Sequence, residues 1–226
     1  MSIIDQKARE WSRPALERIA TALSKWNVSP NLITYIGMVL TAGVATLAAL
    51  GEIRWAGVAY LFAAVFDALD GTLARVSGKG SRFGAFLDST IDRFEESIVF
   101  LGLIVYYARQ GGNEWEIPLL LVVTVASLMV SYTRARAEAL GVACQVGFMS
   151  RVPRVAIMIV GMILDQMLIT LIILAVTSLF TAFHRMVHVW RVTGGEDAGW
   201  GPVQQPYSPP PPKFEGGEEA GGEEEP

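Results

Sequence analysis

The stretch "WAGVAYLFAAVFDALDGTLAR", Trp55 to Arg75, runs through twelve residues with no charge and then places Asp67, Asp70 and Arg75 at its end. Its closing residues come close to the D-x-D-G-T signature of soluble phosphatases, in which a strand delivers a nucleophilic aspartate. The register rules that out, because the position two residues before Asp70 is Ala68. The apolar run is instead long enough, with its flanks, to cross the hydrocarbon of a bilayer, which takes about 20 helical residues. The fold and the chemistry therefore meet in one segment: a membrane helix that carries two carboxylates to its end.

The rest of the chain follows the same pattern. Of 226 residues, 52% are hydrophobic. Six apolar segments are expected, at about Asn31–Leu50, Trp55–Ala74, Phe83–Tyr107, Trp115–Tyr132, Val152–Leu164 and Met167–Val189. The fifth is short and ends at Asp165 and Gln166. Before them, residues 3–26 space Ile4, Ala8, Trp11, Ala15, Ile19, Leu23 and Trp26 near helical period among five bases, as in an amphipathic helix lying in the membrane interface. The expected fold is an all-α membrane protein of six transmembrane helices with that N-terminal interfacial helix. Its expected parts are a juxtamembrane helix over residues 1–27, a six-helix domain over 28–193 and an acidic Pro/Gly/Glu-rich tail over 194–226 that lacks the apolar residues to fold. The N-terminus shows no secretory signal pattern.

Charge orients the expected bundle. The formal net charge of −4 conceals a tail of eight acids and one base, Lys213, so the remainder is net positive. Bases crowd the connections that an inside N-terminus makes cytoplasmic: Arg75, Lys79 and Arg82, then Arg134, Arg136, Arg151 and Arg154, then Arg185 and Arg191. The opposite connections hold Arg54 and Arg109. This asymmetry places both termini and the charged connections in the cytoplasm, so the chain reads as a multi-pass protein of the cell membrane. Cys144 is the single cysteine, which excludes an intrachain disulfide and a cysteine metal site.

Four acids sit beside the cytoplasmic ends of the second and third segments. Asp67 and Asp70 are three apart, Asp88 and Asp92 four apart, so each pair shares a helix face. The connection "RVSGKGSRFG" allows a tight return that brings the faces together. Carboxylates so gathered repel one another unless a cation joins them, and an all-oxygen set suits Mg²⁺ or Mn²⁺. Gly71 and Gly84 leave space beside them, and Arg75, Lys79 and Arg82 supply charge for phosphates. An ion transporter with intramembrane acids is the non-enzymatic alternative, although the acids cluster near one interface rather than spreading through the membrane depth.

These residues resemble a known signature. Asp67-x-x-Asp70-Gly71-x-x-Ala74-Arg75, eight residues, then Gly84-x-x-x-Asp88-x-x-x-Asp92 is similar in every fixed position to that of the CDP-alcohol phosphotransferases. The resemblance implies a six-helix enzyme, usually a homodimer, whose cytoplasm-facing cavity transfers a phosphatidyl group from CDP-diacylglycerol to an alcohol and releases CMP. It implies two divalent metals held by Asp67, Asp70, Asp88 and Asp92, with Asp92 also the general base. It places Gly71, Arg75 and Ser81 at the CDP moiety, along with Pro30, Asn31 and Thr34 of "SPNLIT". Partners so implied are CDP-diacylglycerol, the acceptor, membrane lipids and a second copy, with no nucleic acid.

The acceptor is addressed by a second polar group. "SYTRARAEALG", "GFMSRVPR" and "HRMVHVW" bring arginines to the cytoplasmic side, and guanidinium forks pair bidentately with phosphate. These stretches look like those of bacterial phosphatidylinositol phosphate synthases, which implies inositol 1-phosphate as acceptor and Arg134, Arg154 and Arg185 at its phosphate. Position 134 is arginine where lysine is expected, and the segment around Pro153 is rearranged. Glycerol 3-phosphate, making the chain a phosphatidylglycerophosphate synthase, is the alternative acceptor.

Overall fold

The computed structural model describes residues 14, 16–26, 28–111 and 115–194. The expected acidic tail and the first turns of the N-terminal helix lie outside them. Six helices follow one another: α1 Pro30–Ala49, α2 Ile53–Ser77, α3 Arg82–Gln110, α4 Glu116–Ala139, α5 Arg151–Ile163 and α6 Met167–Val192. Residues 16–25 are helical as well, and no strand occurs among the described residues.

The helix boundaries have local causes. Ser29 caps α1, its Oγ accepting from the Leu32 amide at 3.2 Å, and Pro30 takes the first helical position, where no amide hydrogen is needed. α2 ends at Gly78, whose φ of 66° closes the helix in the left-handed conformation. Ser81 then caps α3 by accepting from the Gly84 amide at 2.9 Å. A glycine stop at Gly78 and a serine start at Ser81, three residues apart in "SGKGS", make the tight return between the two aspartate-bearing helices. α4 outlasts its apolar stretch and continues to Ala139, because "RARAEA" consists of strong helix formers. α5 and α6 are joined through Asp165, which adopts a φ of 57°.

Helix contacts run α2–α1–α3–α4–α6–α5 and return to α2, a closed ring. Its apolar core includes Val44, Tyr60, Val99, Leu103, Leu120, Val123, Met158, Met162, Leu171 and Leu174. α1 and α3 approach so closely that a Cβ on Gly102 would lie 2.3 Å from the Ala45 carbonyl oxygen, the small-residue contact by which membrane helices pack. A smaller cluster joins Ala20 to Ile33, Leu69 and Leu73, so the 16–25 helix docks on the ends of α1 and α2. Large apolar side chains such as Val39, Phe62, Val125, Val176 and Phe183 face outward from the ring.

Four of these helices, α1, α2, α4 and α6, are long and apolar enough to cross a membrane. α3 has the length, at 29 residues, but carries Asp88, Asp92, Arg93, Glu95 and Glu96 in its first half. α5 has only 13 residues, which at 1.5 Å per residue spans about 20 Å, short of a hydrocarbon core.

Candidate active site

The N-terminal ends of α1, α3 and α5 meet beside the last turns of α2. Helix N-termini carry partial positive charge and unpaired amides, so this end of the bundle suits anions. α1 and α3 touch at Gly84, where a Cβ would lie 3.0 Å from Ser81 Oγ and 3.2 Å from Asn31 Oδ1. α1 also reaches α2: the Thr34 hydroxyl donates to Asp70 Oδ2 at 2.7 Å in a buried setting.

Two carboxylate groups form there. Asp67, Asp70 and Asp88 offer oxygens within 4.8 Å of one another, and so do Asp67, Asp92 and Glu95. The four aspartates expected from their spacing are thus brought together, with Asp67 common to both groups. The donors fit a hard divalent cation: all are oxygens, and Asp67 Oδ1 and Glu95 Oε1 are buried without a hydrogen-bond partner.

The remaining expected residues fall into two sets. Gly71 and Arg75 lie exposed beside the aspartates. A Cβ on Gly71 would meet only Arg75 Nη1, at 3.8 Å, and Arg75 Nη2 donates to the Thr72 hydroxyl at 3.0 Å. Pro30, Asn31, Thr34 and Ser81 border the same end through the helix caps described above. The three arginines assigned to the acceptor have partners within the chain. Arg134 pairs with Glu138 one turn on, at 2.8 Å. Arg154, 2% exposed, grips both oxygens of Glu96 at 2.8 Å and the Met149 carbonyl at 3.1 Å. Arg185 donates to the Val130 carbonyl and, at 3.0 Å, to that of Val146. Arg154 and Arg185 therefore anchor the connection between α4 and α5 from two sides. Gly147 within it has a φ of 91°, and a Cβ there would lie 2.5 Å from Thr181 Cγ2, so the turn needs glycine on both counts.

Spacing alone did not single out Glu95 and Arg151. The Arg151 guanidinium bridges Asp67, Asp92 Oδ1 at 2.6 Å and Glu95 Oε2 at 2.7 Å. Glu95 carried a signal: it follows Asp92 by three residues and Asp88 by seven, on the same face of one helix. Arg151 carried none, since 84 residues separate it from Asp67.

A helical ring with at least four membrane-length helices, and with clustered carboxylates and helix N-termini at one end, defines a membrane protein whose all-oxygen donor set suits divalent cations. The model of the CDP-alcohol phosphatidyltransferase family matches residues 27–190, and the chain belongs to that family of transferase enzymes. Phosphatidylinositol phosphate synthase of Mycobacteroides abscessus is 34% identical over 196 residues, covering 83% of this chain and 89% of that protein. Archaetidylinositol phosphate synthase of Pyrococcus horikoshii is 34% identical over 181 residues, covering 80% and 93%. The crystal structure of Mycobacterium tuberculosis phosphatidylinositol phosphate synthase with CDP-DAG bound superposes with a TM-score of 0.73 at 31% identity, covering 77% of this chain and 93% of that one. A second structure of the same enzyme, in complex with manganese and citrate, gives the same TM-score and covers 77% and 88%.

Proposed function

We propose that the chain transfers the phosphatidyl group of CDP-diacylglycerol to inositol 1-phosphate and releases CMP. The observation that carries this reading is the convergence of Asp67, Asp70, Asp88 and Asp92, from two helices, beside Gly71, Arg75 and Thr34. The acceptor is supported by the relatives, whose names differ in the lipid but share inositol phosphate.

Asp67, Asp70 and Asp88 would hold one divalent cation, and Asp67, Asp92 and Glu95 a second. Bound there, Mg²⁺ or Mn²⁺ supplies charge neutralisation for the pyrophosphate and its leaving CMP. Thr34 keeps Asp70 oriented by donating to its Oδ2. Gly71 leaves open the space through which the CDP moiety reaches the carboxylates, and Arg75 meets its phosphates. Asp92 accepts the proton of the acceptor hydroxyl as that oxygen bonds to the lipid-side phosphorus and the bond from phosphorus to the CMP oxygen breaks. Arg134, in the last turns of α4 before the connection to α5, receives the acceptor phosphate.

The membrane placement belongs to the same reading. All six helices cross or enter the cell membrane, with α3 and α5 shielded by their neighbours in the ring and the site facing the cytoplasm. The helix before α1 lies at the interface, Ile19 and Trp26 turned away from the bundle, and the working unit is a homodimer.

Purified protein supplied with CDP-diacylglycerol, Mg²⁺ and either radiolabelled inositol 1-phosphate or glycerol 3-phosphate tests the reading. Labelled lipid and CMP are expected from inositol 1-phosphate. Product from glycerol 3-phosphate alone would reassign the acceptor, and no CMP from either would refute the transferase reading.

A further inference from the structure

Three observations set Arg151 apart from the other arginines of the site. Its guanidinium lies on the same three residues, Asp67, Asp92 and Glu95, whose oxygens cluster closely enough to hold a metal ion. Glu95 is 2% exposed, packed so that a Cβ on Gly37 would lie 3.3 Å from its Oε1. A carboxylate so enclosed has little water to stabilise its charge and needs a cation, whether from the chain or from solution. The grip of Arg151 is also incomplete. Its Nε is buried without a partner, and its side chain remains 24% exposed. Arg151 is the first residue of α5, next to the non-helical connection from α4. Arg154, one turn later, shows the contrast: it is enclosed and satisfied by Glu96 and Met149.

We propose that Arg151 is a built-in counter-ion of the Asp67–Asp92–Glu95 carboxylates, competing with a divalent cation for them and withdrawing when the cation enters. A guanidinium in hydrogen-bond contact with these oxygens repels a doubly charged ion at the same place, and the poorly hydrated setting strengthens that repulsion. The guanidinium thereby offsets part of the repulsion among the carboxylates before metal arrives, and the apparent affinity of this position is set by the exchange of one cation for another. Glu95 takes part by holding the second guanidinium nitrogen. The inference rests on the metal-dependent reading above, but its test needs no substrate.

Mn²⁺ binding to detergent-purified full-length protein is measured by the electron paramagnetic resonance of free Mn²⁺, for the wild type, Arg151→Lys and Arg151→Gln. The weaker of two Mn²⁺ sites is expected to tighten in that order, by roughly tenfold or more between wild type and Arg151→Gln. Lysine keeps the charge but cannot fork across three carboxylates, so it falls between. Low millimolar guanidinium chloride is expected to weaken Mn²⁺ binding by Arg151→Gln and to leave the wild type unchanged. Equal or weaker Mn²⁺ binding by a monodisperse Arg151→Gln protein overturns the proposal while sparing the metal reading. If that variant does not fold, Arg151→Lys decides alone: tighter binding than wild type supports the competition, and equal or weaker binding overturns it. No Mn²⁺ binding by any form, wild type included, overturns the metal reading with it.

Discussion

Arg154→Met separates two roles for one guanidinium. Arg154 and Glu96 are 2% and 6% exposed, joined by two bonds of 2.8 Å, with a third from Arg154 to the Met149 carbonyl. Methionine fills much of the arginine volume but leaves Glu96 buried without its hydrogen-bonded counter-charge. Removing one partner of a buried pair costs about 3–5 kcal/mol, and the lost bond to Met149 adds about 1 kcal/mol. For a domain of this size each kcal/mol moves the melting temperature by about 2–4 °C, so a fall of roughly 10–20 °C is expected. Replacing both partners, as Glu96→Leu with Arg154→Met, removes the stranded charge and is expected to recover most of the loss, since well-packed apolar pairs substitute for buried ion pairs at little cost. Tryptophan fluorescence melts in detergent, followed by size-exclusion chromatography, measure both variants. A single variant that melts within about 2 °C of wild type while its KM for the phosphorylated acceptor rises would refute the structural role and leave Arg154 as a substrate ligand.

Asp92→Asn is expected to lower turnover by about 10²–10⁴-fold while CDP-diacylglycerol binding persists; near wild-type turnover would remove Asp92 as the base. Chelation with EDTA is expected to abolish CMP release, and added Mg²⁺ or Mn²⁺ to restore it, as read by a CMP-release assay. Gly102→Ala drives a methyl group into the Ala45 carbonyl, so α1 and α3 must separate, at a cost of about 3 kcal/mol visible as a lower melting temperature. Gly147→Ala combines an unfavourable φ with a clash against Thr181. It is expected to destabilise by about 1–3 kcal/mol and to free the connection that Arg185 anchors, detectable as faster proteolysis between α4 and α5.

Much of the fold and half of the site are legible in local sequence, for a physical reason. A membrane helix must satisfy its own backbone, so apolar length marks helices without knowledge of their neighbours. Each expected segment coincides with one of α1 to α6 within a few residues, apart from the longer reach of α4. The aspartates are likewise local: helical period alone puts Asp67 with Asp70 and Asp88 with Asp92, and the Gly78 stop and Ser81 cap turn one pair toward the other. The extra residue that spoils the phosphatase motif at Ala68 is what allows both carboxylates to share a face.

Only the tertiary structure decides which charges neutralise those carboxylates. Arg151 reaches Asp67 across 84 residues, and Arg154 reaches Glu96 across 58, because α5 returns beside α2 to close the ring. No spacing rule distinguishes these two arginines, three residues apart, from Arg134, which pairs within its own helix. Sequence places charge at one end of the bundle through helical period and membrane length. Which charges are enclosed, and which must leave before a metal can enter, depends on the packing of helices distant in the chain.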